Sequence, residues 1–100
     1  MRITITARHC EIPPPLRDRA RRVLERLGRV APRPLEAQVL FSSDHGAATV
    51  QLGLRVGRGH LRVGASSGAD HRSALDRAVA KLRRQLDKPP ASRRSARGSR

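Results

Sequence analysis

Apolar residues recur along this chain at two periods: every second position in four stretches, and every third or fourth in two others. Residues 2–8 alternate, with Ile3, Ile5 and Ala7 on one side and Arg2, Thr4, Thr6 and Arg8 on the other, which predicts a strand with one buried face. Pro13-Pro14-Pro15 can open a helix but cannot lie inside one. A first helix is predicted from there to about Leu27, with Leu16, Ala20, Val23, Leu24 and Leu27 as its apolar stripe and Gly28 as its stop. Pro32-Arg33-Pro34 reads as a stiff connector. Residues 35–42 read as a second strand with Ala37, Val39 and Phe41 on one face, and Ser43-Asp44-His45-Gly46 as the turn after it. From Ala48 to Val56 the alternation is strict, Val50, Leu52, Leu54 and Val56 against Thr49, Gln51, Gly53 and Arg55. Gly57-Arg58-Gly59 reads as a short hairpin loop. His60 to Ser66 alternates again, with Leu61, Val63 and Ala65 expected to point inward.

The stretch from Asp70 to Lys88 predicts the last helix. Leu75, Ala78, Val79, Leu82 and Leu86 fall at i, i+3, i+4, i+7 and i+11, one apolar stripe at helical period. Arg77, Lys81, Arg84 and Lys88 align on the opposite side. Asp70 can accept from the free amides of the first turn, and Pro89-Pro90 ends the helix. The order is therefore β-α-β-β-β-α. Strands with one apolar face each give a sheet covered on one side, so an α+β, two-layer sandwich is expected, a four-stranded sheet with both helices packed on one face. The first helix is a crossover, so the first strand should pair in parallel and the others as antiparallel hairpins. Residues 1–88 form the expected domain. Residues 89–100, with four Arg and no apolar periodicity, are expected to be a disordered basic tail.

Charge changes the picture. The net charge of +14 comes from 20 Arg and 2 Lys against 8 acids, and a charge of that size speaks about partners rather than fold. Nucleic acid or an anionic surface is implied. A helix needs a polar back, and Arg and Lys are good helix formers, so the basic row could be an ordinary solvated face. Such faces usually mix signs, whereas only Asp76 lies near this row. On the first helix Arg19, Arg22, Arg26 and Arg29 group on one flank, also largely unopposed, while Arg17 and Arg21 lie near Asp18 and Glu25. Phe41 is the single aromatic among Phe, Trp and Tyr, so base stacking on aromatic platforms is nearly excluded and contact to phosphates and shape remains.

Little else suggests chemistry. Cys10 is alone, which fits a reducing compartment, and it follows His9 too closely to form a nucleophile–base pair on a strand. It reads as a small buried residue. His45, His60 and His71 lack the spacing of metal ligands, and Gly57-Arg58-Gly59 lacks the third glycine of a dinucleotide loop. The chain is read as a non-enzyme with no catalytic residue, no metal, no cofactor and no small-molecule substrate. No apolar run is long enough to span a bilayer, and Met1 leads straight into Ile3 and Ile5 without a targeting segment, so a cytoplasmic protein without a membrane partner is expected.

Several motifs carry a resemblance. Ile3-Thr4-Ile5-Thr6, Glu11-Ile12 with Leu16-Arg17, the strand pair around His60, and Asp70…Ala74-Leu75-Asp76…Lys81-Leu82-Arg83-Arg84-Gln85-Leu86…Lys88 are similar to those of the short ribosome hibernation-promoting factors, also called ribosome-associated inhibitors or ribosomal subunit interface proteins. The likeness covers residues 1–88. It implies a stress or stationary-phase factor that binds 16S rRNA of the small ribosomal subunit and the 70S ribosome, lies in the mRNA/tRNA channel, and inhibits translation, being monomeric off the ribosome. By matching position Lys81, Arg84 and Lys88 carry over as rRNA contacts, Arg22 and Arg26 join them from the first helix, and Arg77 completes the row. The family often has an aromatic where His71-Arg72 stands. The second domain of its long members has no counterpart, so pairing of ribosomes should need a separate partner. The alternatives from other classes are a protein-binding regulator, such as a modulator of a transcription factor, and a general basic RNA-binding protein.

Overall fold

A computed structural model describes residues 1–57 and 60–87. The elements are β1 (Arg2–Arg8), α1 (Pro14–Val30), β2 (Pro34–Asp44), β3 (Ala47–Val56), β4 (His60–Gly68) and α2 (His71–Asp87). The sheet is four-stranded in the order β1-β2-β3-β4, with β1 parallel to β2 and the other pairs antiparallel. Both helices cover one face, as the one-sided alternation requires. The core joins Leu24 and Leu27 of α1, Val39 and Phe41 of β2, Leu52 and Leu54 of β3, and Leu75 and Leu82 of α2, all essentially fully buried. Fully burying a side chain of this size contributes about 1.5–3 kcal/mol.

Local chemistry explains the boundaries. Pro14 and Pro15 occupy the first turn of α1, where a missing N–H costs nothing. The helix does not stop at Gly28 but runs to Val30. It ends because Ala31, which precedes Pro32, is driven to extended backbone, with its N–H still bonded to Leu27 O at 3.1 Å. A Cβ on Gly28 would lie 2.8 Å from Met1 Cε, the far end of a flexible, exposed side chain that can move aside, so nothing there requires glycine. Strand β2 runs on to Asp44, so the turn shrinks to His45 and Gly46, at φ 52° and 82°. A two-residue loop with both φ positive matches the right-handed twist of its strands. His9, at φ 60°, and Cys10 lie in a bend after β1 rather than on a strand, and Cys10 is half-buried against the core.

The largest departure is in β4. Its register sets Leu52 opposite Gly64 and Val50 opposite Ser66, while Gly53 meets Val63 and Arg55 meets Leu61. Leu61 and Val63 therefore point to the open face of the sheet, 47% and 39% exposed, and Ala65 is exposed beside them. Because side chains alternate, whichever set faces the helix fixes the other outward. The set facing α2 is the small one, since a Cβ on Gly64 would lie 2.7 Å from the Ala78 carbonyl oxygen. Here α2 approaches the strand too closely for Leu or Val.

Candidate nucleic-acid interface

The two helices start at the same end of the sheet and form one basic layer. Helix α1 carries six arginines against Asp18 and Glu25. Arg22 and Arg26 lie on its outward side, exposed, and neither makes a hydrogen bond or ion pair with another described residue. Arg19 is different: it bridges to α2, its Nη2 donating to Asp76 Oδ1 at 3.0 Å and its Nε to the same oxygen at 3.3 Å. The unopposed flank expected from sequence is thus interrupted at this residue. Both partners are about a third to a half exposed, at 34% and 47%, so the bridge is worth at most about 1 kcal/mol. Asp76→Ala is accordingly expected to lower the melting temperature only slightly and to tighten binding to a short RNA, because it frees Arg19 and adds one net positive charge. A thermal melt beside a fluorescence-anisotropy titration checks both.

The basic row of α2 does not lie opposite the apolar stripe but along the flank that overhangs β4. Arg77 Nη1 donates to Ser67 O at 3.0 Å, and Lys81 Nζ donates to Ala65 O at 2.8 Å. Gln85 Nε2 continues the series, donating to Val63 O at 2.6 Å. Arg84 is exposed and makes no hydrogen bond or ion pair with another described residue. Lys88 and the tail lie outside the described residues. The structure thus brings Arg77 and Lys81 onto one strand edge, keeps Arg84 available beside them, and places Arg22 and Arg26 on the neighbouring helix.

Between the helix starts lies a cleft of about 590 Å³, lined by Pro13, Pro15 and Leu16 on the apolar side and by Arg19, Arg22 and Arg72 among its polar groups. Arg72 was not singled out by periodicity, since it belongs to neither stripe of α2; its closeness to Arg22 appears only when the helices are side by side. At the same end Asp70 Oδ1 accepts the Ser73 N–H at 2.7 Å, as its capping position predicts. That backbone hydrogen bond holds the Asp70 carboxyl below its ordinary value, so the cap is fully effective above the usual carboxylate range and is lost as pH falls through the lowered one. His71, where an aromatic was expected from the resemblance, packs edge-on against Phe41 at 5.8 Å, and its Nε2 hydrogen-bonds to Ser42 O at 2.8 Å. The imidazole supplies an aromatic face and ties α2 to β2.

The open face of the sheet is mostly polar, with Ser42 and Thr49 hydroxyls paired across β2 and β3. A groove of about 350 Å³ there includes Thr6, Arg8, Gln38 and Gln51 together with Leu61 and Val63. No group of three or more His, Cys, Asp or Glu among the described residues could hold a metal ion. None of the described helices is long and apolar enough to cross a membrane.

No curated protein sequence matches the chain. Among solved structures it is similar to the N-terminal domain of Protein Y from Thermus thermophilus, with 31% identity, 86% of this chain and 96% of that chain covered, and a TM-score of 0.74. A ribosomal subunit interface protein from Coxiella burnetii has the same fold, with a TM-score of 0.74 at 21% identity over 86% of this chain and 93% of that one. The resemblance first carried by the opening strand and the last helix extends over nearly the whole sequence: with residues 3–92 matched, the chain belongs to the Sigma 54 modulation protein / S30EA ribosomal protein family.

Proposed function

We propose that this protein binds the small ribosomal subunit through 16S rRNA, occupies the mRNA/tRNA channel, and keeps idle ribosomes from initiating. Membership of a family of ribosome-associated factors carries the ribosome-related role. The observation that supports the finer reading is the helix layer, where Arg22, Arg26 and Arg84 present guanidinium groups with no partner among the described residues. Fixed cations of this kind displace counterions from folded RNA, and Arg recognises phosphate bidentately. Inhibition then needs no chemistry; occupancy of the channel is enough. Arg77 and Lys81 contribute by exchanging the β4 carbonyls for phosphates, and Lys88 extends the same row by sequence.

Sedimentation of the tagged protein with separated ribosomal subunits tests this reading. Co-migration with the small subunit at low salt is expected, and it should fall steeply as salt rises. On simple nucleic acids each neutralised phosphate adds about −0.7 to −0.9 to the log–log salt slope, which serves as a guide for rRNA. Binding unchanged by moderate salt would remove the electrostatic argument. A second reading, a protein-binding regulator, draws on the exposed Leu61 and Val63 of the open face. It gains if the protein stays at the top of the gradient even at low salt.

A further inference from the structure

The outer edge of β4 is closed in an unusual way. The carbonyls of Val63, Ala65 and Ser67 recur every second residue along the strand, and Gln85, Lys81 and Arg77 recur every fourth along α2. Four helical residues advance about 6 Å and two strand residues about 6.6 Å, so helix and strand stay in step for the length of the edge. Each outward acceptor along this run receives one side-chain donor, and two of the three donors are cations. Cationic side chains along an edge are a common way for a sheet to refuse another strand. What they cover is suited to one: the N–H groups of Val63, Ala65 and Ser67 point outward with their carbonyls, and Leu61 and Val63 of the same strand form the exposed apolar row of the open face.

We propose that β4 is a self-association edge, held closed by Arg77, Lys81 and Gln85, that pairs with β4 of a second copy once phosphates draw the two cations away. A second copy is the partner the edge fits. A two-fold axis at Val63 sets that residue against its own equivalent and Leu61 of one copy against Ala65 of the other, so the two apolar rows join on the continued open face. The net charge of +14 opposes this contact in the free protein, and a bound polyanion relieves the repulsion as it removes the guard. Only the opening step rests on the function proposed above; the edge itself does not.

The experiment removes the guard without RNA. Arg77→Met, Lys81→Met and Gln85→Met together change exposed side chains and leave the core untouched. Analytical ultracentrifugation at high micromolar concentration and high salt, which screens the charge the variant keeps, should show wild type at 11.0 kDa and the triple variant at twice that mass. Hydrogen exchange should show the amides of residues 61, 63 and 65 newly protected in the variant, and adding Val63→Lys should return it to monomer. Adding a short single-stranded RNA to wild type should protect the same three amides. A triple variant that stays monomeric, or that associates without protecting those amides, overturns the edge. RNA that binds wild type without protecting them overturns the opening step.

Discussion

Replacing Arg22, Arg26 and Arg84 together with glutamate should abolish small-subunit binding at physiological salt while leaving the melt nearly unchanged. All three side chains are exposed and make no hydrogen bond or ion pair with another described residue, so their loss breaks none among the described residues. Surface substitutions of this kind usually move stability by no more than about 0.5 kcal/mol each. Each reversal deletes an attraction to phosphate and adds a repulsion, both about 0.5–1 kcal/mol for exposed charges. Three reversals then lose on the order of 3–6 kcal/mol, a hundredfold to ten-thousandfold in affinity. A pelleting assay across salt concentrations, run beside circular-dichroism melts, reads both quantities. Binding equal to wild type would reduce the helix layer to an ordinary solvated face.

The second large effect is expected at Gly64. A Cβ there would lie 2.7 Å from Ala78 O, 3.2 Å from Leu82 N and 3.3 Å from Leu82 Cβ, so two of the three obstacles are helix backbone and cannot rotate away. Gly64→Val must lift α2 off β4, breaking the contact that buries Leu82 and misaligning the side chains that bond the strand edge. Overpacking costs about 1–3 kcal/mol where side chains can yield, and more is expected where they cannot. Against a total stability of about 5–15 kcal/mol, that is enough to unfold a visible fraction of the protein. Leu82→Ala attacks the same contact by emptying it, at about 2–5 kcal/mol. Gly53→Ala is the control: its Cβ would meet only the Gln38 side chain, which is flexible and on the open face, so little change is expected. Urea titrations of the three variants order these costs, and any binding defect in the first two should track the unfolded fraction.

The contrast between these sites shows what could be read from residues alone. The alternation of β1 and β3 and the stripes of both helices set element order and packing side, because burial of one face imposes a period that nothing else in a short chain produces. The same rule misplaced β4. Leu61, Val63 and Ala65 looked like the inward set because they are apolar, yet the inward set is Arg62, Gly64, Ser66 and Gly68, with Gly64 where α2 comes closest. A glycine inside a strand is a signal of close approach by another backbone, and Gly64 carried it. The helix runs past Gly28 because Ala31, held extended ahead of Pro32, sets its end instead. The exposure of Arg22, Arg26 and Arg84 followed from period and charge. That Arg77 and Lys81 would reach carbonyls depended on how α2 rolls against β4, which no local pattern encodes. The Arg19–Asp76 bridge spans fifty-seven positions and was equally out of reach.

The parallel pairing of β1 with β2 bears on how the chain assembles. Strands β2, β3 and β4 follow one another as hairpins, so their ladders close over short loops, and α2 returns directly onto β4. Strand β1 has no such neighbour; it meets β2 only after all of α1 has been threaded between them, with Ile3 opposite Ala37 and Ile5 opposite Val39. Closing that long loop costs entropy before any contact repays it, which slows the step. Ile3 and Ile5 are only half-buried when it is done. The meander with α2 is therefore the part that can form early, with β1 and α1 added last. In the native state the first and last ladders of the sheet should then differ in how often they open, β1 departing in brief sub-global excursions while β3 exchanges only with complete unfolding.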